Sequence, residues 1–293
     1  MCLDFRSFNQ NNEINMSSAA IISTDHALQL ILEKDAIILD ASIDKVNQKL
    51  DNSTLELIPN SRFFAIEGTF SDHDSPFPHT LPSASHFEQE AQKLGINQDS
   101  VLIIYDRWGI YSSPRAWWMF RYMGLEQVYV LKGGLPAWKA AGLPLEDHYM
   151  DETALHPGNF KASPQKEWLV SKEQLLSLYQ DKHVQVIDAR SSGRFHGTAA
   201  EPRPGLRSGH IPGSKNLPFD TLLDGIDYKD KEELALLFDG KTNPDKRNIF
   251  TCGSGVSAAI LALAAHELGI EQIAVYDGSW SEWGADPNSP IEQ

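Results

Sequence analysis

Apolar positions in this chain gather into short unbroken runs separated by stretches of helical spacing, a pattern that predicts buried parallel strands alternating with helices. In the first half, a helix-like segment at residues 25–34 precedes Ala36-Ile37-Ile38-Leu39-Asp40-Ala41, a β-branched run ending on an acidic residue. Residues 61–85 are rich in Phe, Pro, His and Asp, carry no period, and predict a long ordered loop of the functional kind. A helix at 86–94 stops at Gly95, and Val101-Leu102-Ile103-Ile104-Tyr105-Asp106 forms a second buried strand. A loop at 107–113, an apolar helix at 114–123, a strand at 127–131, the turn Gly133-Gly134 and a short helix at 135–141 follow.

The second half repeats this order. It runs through a helix at 171–179, a strand at 184–189, a long loop at 190–215, a helix at 231–238 and a strand at 248–251. A Gly/Ser loop, a helix at 257–268, a strand at 272–276 and the turn Asp277-Gly278-Ser279 close it, with Trp283 standing where Trp138 stood. About 146 residues separate the equivalent points Asp106 and Cys252, the spacing of a duplicated domain and not of a solenoid. The expected fold is therefore α/β: two tandem domains at 19–143 and 169–293, each a small mostly parallel sheet flanked by helices, with its active loop at the carboxyl ends of the strands. Residues 144–168, polar and containing Pro157, Gly158 and Pro164, read as a linker. Residues 1–18 read as a loose leader without a basic-then-apolar signal pattern.

Composition narrows the function classes. With 41% hydrophobic and 22% charged residues the chain is globular, and its 293 residues suffice for two cores. A net charge of -15 argues against nucleic-acid binding and against attraction to an anionic membrane, and an anionic substrate would need a local basic site. No apolar run is long enough to span a bilayer. Only Cys2 and Cys252 are present, which speaks against a disulfide framework and for a reducing, cytoplasmic setting. No Cys/His/Asp cluster has metal spacing, Asp72-His73-Asp74 reads as a solvated loop tip, and no cofactor is called for.

One stretch carries chemistry: residues 249–260, in which an apolar strand leads through Cys252 and a Gly/Ser loop into an apolar helix. Backbone N–H groups and the positive end of a helix at such a loop favour thiolate over thiol. A small buried hydrophobe at a strand end is the plainer reading of a lone cysteine, and the glycines on either side of Ser254 favour the nucleophile.

Cys252-Gly253-Ser254-Gly255-Val256-Ser257-Ala258 resembles the active loop of 3-mercaptopyruvate sulfurtransferases, and the whole chain resembles the two-domain rhodanese-type sulfurtransferases. Supporting matches are Gly193-Arg194-Phe195, Glu201-Pro202-Arg203, Gly209-His210-Ile211-Pro212-Gly213, Pro114-Arg115-Ala116-Trp117-Trp118, and Gly133-Gly134 with Trp138. The resemblance implies a catalytically silent first domain, with Asp106 in the place of the cysteine, and a site in the cleft between domains. It implies sulfur transfer from a small donor through a Cys252 persulfide to a thiol or cyanide acceptor, the thiol being a small one or that of a thioredoxin-like protein. Thiosulfate-specific relatives carry basic side chains at the two positions after the cysteine; Gly253 and Ser254 here point to 3-mercaptopyruvate, with thiosulfate as the alternative donor. The substrate-binding residues so implied are Arg194 and Arg203 for the carboxylate, and Gly253, Gly255, Val256 and Ser257 around it. Ser254, His79 and Glu67 match a Ser/His/Asp set, Glu67 standing where an aspartate is common, and either proton relay or substrate orientation is open to them. Arg190, Arg207 and His210 read as structural, and the tryptophans as core. Rhodanese-like phosphatases close a longer loop with an arginine where Ala258 stands, which argues against phosphate chemistry. A non-enzymatic rhodanese-like module would not need Cys252, Arg194 and Arg203 together.

Overall fold

The computed structural model describes residues 19–293; the expected leader at 1–18, with Cys2, lies outside the described residues. The first unit runs β1 (Ile21–Ile22), α1 (Thr24–Lys34), β2 (Ile37–Asp40), β3 (Arg62–Phe63), α2 (Ala84–Lys93), β4 (Leu102–Tyr105), α3 (Ser113–Tyr122), β5 (Val128–Leu131) and α4 (Gly134–Ala140). Its five strands are all parallel, in the order β1-β5-β4-β2-β3. The second unit runs β6 (Leu169–Val170), α5 (Lys172–Leu178), β7 (Val184–Asp188), α6 (Ser192–Phe195), β8 (Lys215–Asn216), β9 (Leu223–Asp224), β10 (Asp227–Tyr228), α7 (Lys231–Phe238), β11 (Arg247–Thr251), α8 (Val256–Glu267), β12 (Ile273–Tyr276) and α9 (Ser279–Trp283). Its sheet, β6-β12-β11-β7-β8, is again all parallel and repeats the first strand for strand. The repeat extends to side chains: Trp138 Nε1 donates to Pro144 O and Trp283 Nε1 to Pro290 O, both at 2.8 Å.

The β-branched runs of the sequence are the central strands, buried on both faces as a parallel sheet with helices on each side requires. Helix starts follow from side-chain caps: Ser23 accepts from His26 N, Asp230 from Glu233 N, and Ser171 with Gln174 forms a capping box. The edge strands β1, β3, β6 and β8 have two residues each, too few to show a period, and the antiparallel hairpin β9/β10 is equally short.

Two outer cores, one per unit, cover one face of each sheet. The third is continuous through the molecule, joining the other face of both sheets with α3 and α8. Helix α8 is apolar on every side because it is sandwiched between its own sheet and α3 of the first unit. Residues 144–168 do not run free between the units. Phe160 is buried in an aromatic cluster with Phe87 and Phe120, Gly158 N donates to Gln92 O, and Tyr149 Oη donates to Asp40 Oδ2 at 2.8 Å. The polar composition of that segment concealed the few side chains that strap it to the first sheet.

Strand register makes the two active-type loops equivalent: Asp40 lies opposite Tyr105 and Asp188 opposite Thr251, so the next residues, Asp106 and Cys252, occupy the same place. In the first unit the loop is filled by its own anion. The buried Asp106 carboxylate accepts N–H bonds from Trp108, Tyr111, Ser112 and Ser113 at 2.9–3.0 Å, and the Ser113 hydroxyl at 2.7 Å. Asp106→Ala should orphan these donors in a site closed to water and lower the unfolding free energy by about 3–5 kcal/mol. Urea denaturation followed by fluorescence measures it, and a loss below about 1 kcal/mol would show that the loop does not depend on its anion.

Candidate active site

The loop after β11 is pinned from beneath by the start of α9. Cys252 N donates to Ser279 Oγ at 3.2 Å, Trp280 N donates to Cys252 O at 2.9 Å, and Ser281 donates to Gly253 O through both its backbone N and its hydroxyl. These bonds turn Cys252 toward the floor of a cavity of about 220 Å³ that both units line. The cysteine is 2% exposed, and the Gly255 N–H points at its Sγ from 3.1 Å. Gly255 has φ +83°, and a side chain there would collide with the Arg115 guanidinium and the Asp277 carbonyl. Gly253 is small for a different reason, since a Cβ would sit 3.0 Å from Arg194 Nη2.

The second unit supplies the cationic wall. Arg194, at the end of α6, and Arg203 both line the cavity. Arg194 is held by Glu201 through Nε at 3.2 Å and Nη2 at 2.6 Å. Glu201 is fixed in turn by Arg190, whose fork also grips Asp188. Burial opposes the Arg190 cation, but Asp188 and Glu201 outweigh it and raise its pKa. Arg203 has no ion-pair partner among the described residues. Val256 and Ser257 line the cavity from the first turn of α8.

The first unit supplies the opposite wall. His79 reaches across from the long loop, its Nδ1 3.0 Å from Ser254 Oγ and its Nε2 3.0 Å from Glu67 Oε1. A carboxylate only accepts, so Nε2 donates to Glu67, and in the neutral imidazole Nδ1 then accepts from the Ser254 hydroxyl. The extra methylene of Glu67, in place of aspartate, is accommodated because its side chain lies at the rim, about half exposed.

Of the residues singled out by sequence, Gly255 is not part of the lining but bonds Cys252 Sγ through its N–H; the others line one cavity, and those read as structural lie outside it. Arg207 is spent on the carbonyls of Trp283, Gly284 and Asp286, and His210 Nδ1 donates to Phe195 O while its ring stacks on the Phe195 ring. Sequence reasoning missed part of what the first unit contributes. Tyr111, from the Asp106 loop, lines the cavity beside Phe219; burial, reinforced by the charges of Cys252, Asp106 and Glu67 and opposed by Arg203, pushes its phenol up to about 12, so it stays an O–H donor. Lys45 also lines the cavity and lies over the rings of Trp108 and Tyr111, at 4.6 and 5.2 Å. The signal available was the duplication itself, because a loop equivalent to the cysteine loop faces the same cleft. Among the described residues no group of three or more His, Cys, Asp or Glu is arranged to hold a metal ion, and no helix is long and apolar enough to cross a membrane.

Comparison with known proteins agrees with this geometry. The rhodanese-like domain family matches twice, at residues 23–141 and 171–286. The 3-mercaptopyruvate sulfurtransferase of Escherichia coli (strain K12) is 40% identical over 282 residues, covering 94% of this chain and 99% of that protein. The thiosulfate sulfurtransferase of Cricetulus griseus is 40% identical over 243 residues, 80% of each chain. Among solved structures, the 3-mercaptopyruvate sulfurtransferase SseA from Escherichia coli superposes with a TM-score of 0.79 at 37% identity, covering 90% of this chain and all of that one. With two matched domains, near full-length relatives and a cysteine at the carboxyl end of the second sheet, the chain belongs to the rhodanese family as a two-domain sulfurtransferase.

Proposed function

We propose that the sulfur donor is 3-mercaptopyruvate and that Cys252 carries the sulfur as a persulfide to a thiol acceptor, small or thioredoxin-like, or to cyanide, in the cytoplasm. The observation that carries the choice of donor is the composition of the cavity: two arginines from the second unit, a hydroxyl–imidazole pair made by Ser254 with His79 of the first unit, and no basic side chain at 253 or 254. A compact dianion is served best by cations beside the nucleophile, whereas a 2-oxo acid needs its carboxylate held at a distance and its ketone oxygen hydrogen-bonded.

In this reaction the Cys252 thiolate attacks the donor sulfur and an S–S bond forms. The C–S bond of the donor breaks, its electron pair leaving with the carbon as the enolate of pyruvate. A proton then passes to that carbon, the persulfide S–H ionises, and pyruvate departs. The Gly255 N–H faces the sulfur and stabilises first thiolate and then persulfide anion. Ser254 donates to the ketone or enolate oxygen, with His79 and Glu67 behind it to supply or orient the proton. Arg203 and Arg194 take the carboxylate. Attack by an acceptor thiolate on the outer sulfur transfers it and restores Cys252. The thiosulfate sulfurtransferase relative keeps thiosulfate as the second donor to be tested.

Purified protein with a thiol acceptor should release pyruvate from 3-mercaptopyruvate with a kcat/KM at least about tenfold above that for thiosulfate, a difference needing only ~1.4 kcal/mol at the transition state. Equal or faster turnover of thiosulfate would reverse the donor assignment. Incubation with donor alone should add one sulfur to Cys252 by mass spectrometry, and Cys252→Ser should show neither the added mass nor pyruvate release. Removing one charged contact to the donor carboxylate costs about 1.5–3 kcal/mol, so Arg203→Ala should lower kcat/KM for mercaptopyruvate roughly ten- to a hundredfold. The rate of Cys252 alkylation by a neutral reagent should change little in that variant; parallel losses in both assays would mean a damaged fold.

A further inference from the structure

We propose that Arg115 and Asp277 are positioning residues for the sulfur-transfer step, paired across the seam between the units so that His79 is held against Ser254. The inference rests on the reading of Ser254 and His79 as partners in mercaptopyruvate turnover. Neither residue lines the cavity, so any effect on chemistry must pass through another group.

His79 has φ +60°, in the left-handed region that a residue with a side chain enters only at a cost. Such a conformation persists where its surroundings over-determine it. Besides bonds within the loop from Asp72 N to Thr80 O and from Thr80 Oγ1 to Phe77 O, one ion pair holds it from outside. Arg115, in the first turn of α3, is fully buried, and its Nη2 donates both to Asp277 Oδ1 at 2.5 Å and to the carbonyl of His79 at 2.7 Å. Asp277, directly after β12, uses its second oxygen to accept from Leu81 N at 2.8 Å. The pair thus grips the loop on both sides of Thr80, one residue beyond the strained position.

The same guanidinium touches the other half of the site. Its Nη1 lies where a side chain on Gly255 would have to go, next to the N–H that faces Cys252. Stacking on Trp118 at 4.5 Å fixes its plane, and Asp277 is its carboxylate partner among the described residues. A bond serving only to glue two domains could fall anywhere along the seam. This one ends on the backbone of the histidine whose ring crosses it.

The test separates positioning from simple stability. Asp277→Asn keeps the shape of the side chain but removes one of its two acceptors, and Arg115→Lys keeps the charge but loses the fork. In each variant kcat for mercaptopyruvate should fall about tenfold or more while its KM stays within about twofold. In a His79→Ala background the same substitutions should cost less than about twofold further, because the group they position is gone. Independent multiplicative losses in the double variants, or His79→Ala turning over at the native rate, would overturn the proposal. ¹⁵N-histidine NMR supplies a reading that needs no turnover. The His79 signals, identified by their loss in His79→Ala, should report the Nε2–H tautomer in the native protein and shift toward tautomer averaging in either variant that folds. Unchanged signals would overturn the assignment, whereas native protein that fails to release pyruvate from mercaptopyruvate, with the signals shifting as expected, would overturn the donor assignment and leave the positioning role standing.

Discussion

The packing of α3 against α8 is the constraint on which the rest depends, because the groups around Cys252 come from two separately wound sheets and have no other reason to meet. Burial of apolar surface supplies the strength of that contact but no direction. Closeness is aided by the small side chains of α8, whose Ala258, Ala259, Ala262, Ala264 and Ala265 are all buried, and Trp117 of α3 meets His266 of α8 at 5.3 Å between ring centroids. Register comes from a few polar bonds across the seam. Glu267, at the end of α8, accepts the N–H groups of Ala20 and Ile21 at the edge of the first sheet, and Asp227 on the β9/β10 hairpin reaches Lys132 at 3.5 Å. Beside them Ile226, at the hairpin's tip, fits a notch that only the glycines at 109 and 133 leave open. Each bond is individually modest; together they convert a non-directional attachment into one orientation, which is what a site shared between two walls requires.

Duplication explains how one loop geometry serves two ends. At the carboxyl end of a parallel sheet, a tight loop entering a helix collects backbone N–H groups that must find an acceptor. In the first unit Asp106 provides it internally, and the loop becomes a rigid buttress that delivers Tyr111 toward Phe219 of its neighbour. In the second unit a thiol takes that place with a single N–H bond to Sγ, leaving room at the sulfur for a second atom. The first unit thus fills its own loop and lines the cavity of the other through His79, Glu67, Lys45 and Tyr111.

Much of this was legible in the chain and the remainder has identifiable causes. The runs at Ile37 to Leu39, Leu102 to Tyr105, Asn248 to Thr251 and Ile273 to Tyr276 declare buried strands because both faces of a parallel sheet are covered, so no polar alternation interrupts them. The order of elements then implies the duplication, and the duplication places Cys252 opposite Asp106. Two-residue edge strands leave no period to detect, and Phe160 is one of a few scattered apolar residues in a largely polar segment, which carries no period either. Within the site, residues tied to a motif were found, whereas Tyr111, Lys45 and Asp277 were not. Their roles arise from the docking of the two units, which no local pattern encodes.

The two arginines matched by motif turn out to be unequal, and the inequality bears on how an acidic protein draws in an acidic donor. Glu201 is shared between Arg190 and Arg194 and neutralises much of what Arg194 could offer, fixing the Nε and Nη2 edge of its fork and leaving Nη1 uncommitted. Arg203 and Lys45, the latter lying over two aromatic rings, line the cavity without an ion pair among the described residues, with Asp44 and Glu67 as the carboxylates that also line it. In the proposed reaction Arg203 therefore supplies most of the attraction for the carboxylate, and Arg194 supplies geometry, set against Gly253 at the distance where a larger side chain would displace it. A site built this way can admit a monoanion whose carboxylate lies one side of the sulfur. It gives a dianion centred on the sulfur no cation at 253 or 254, and that asymmetry ties the choice of donor to the smallest residues in the loop.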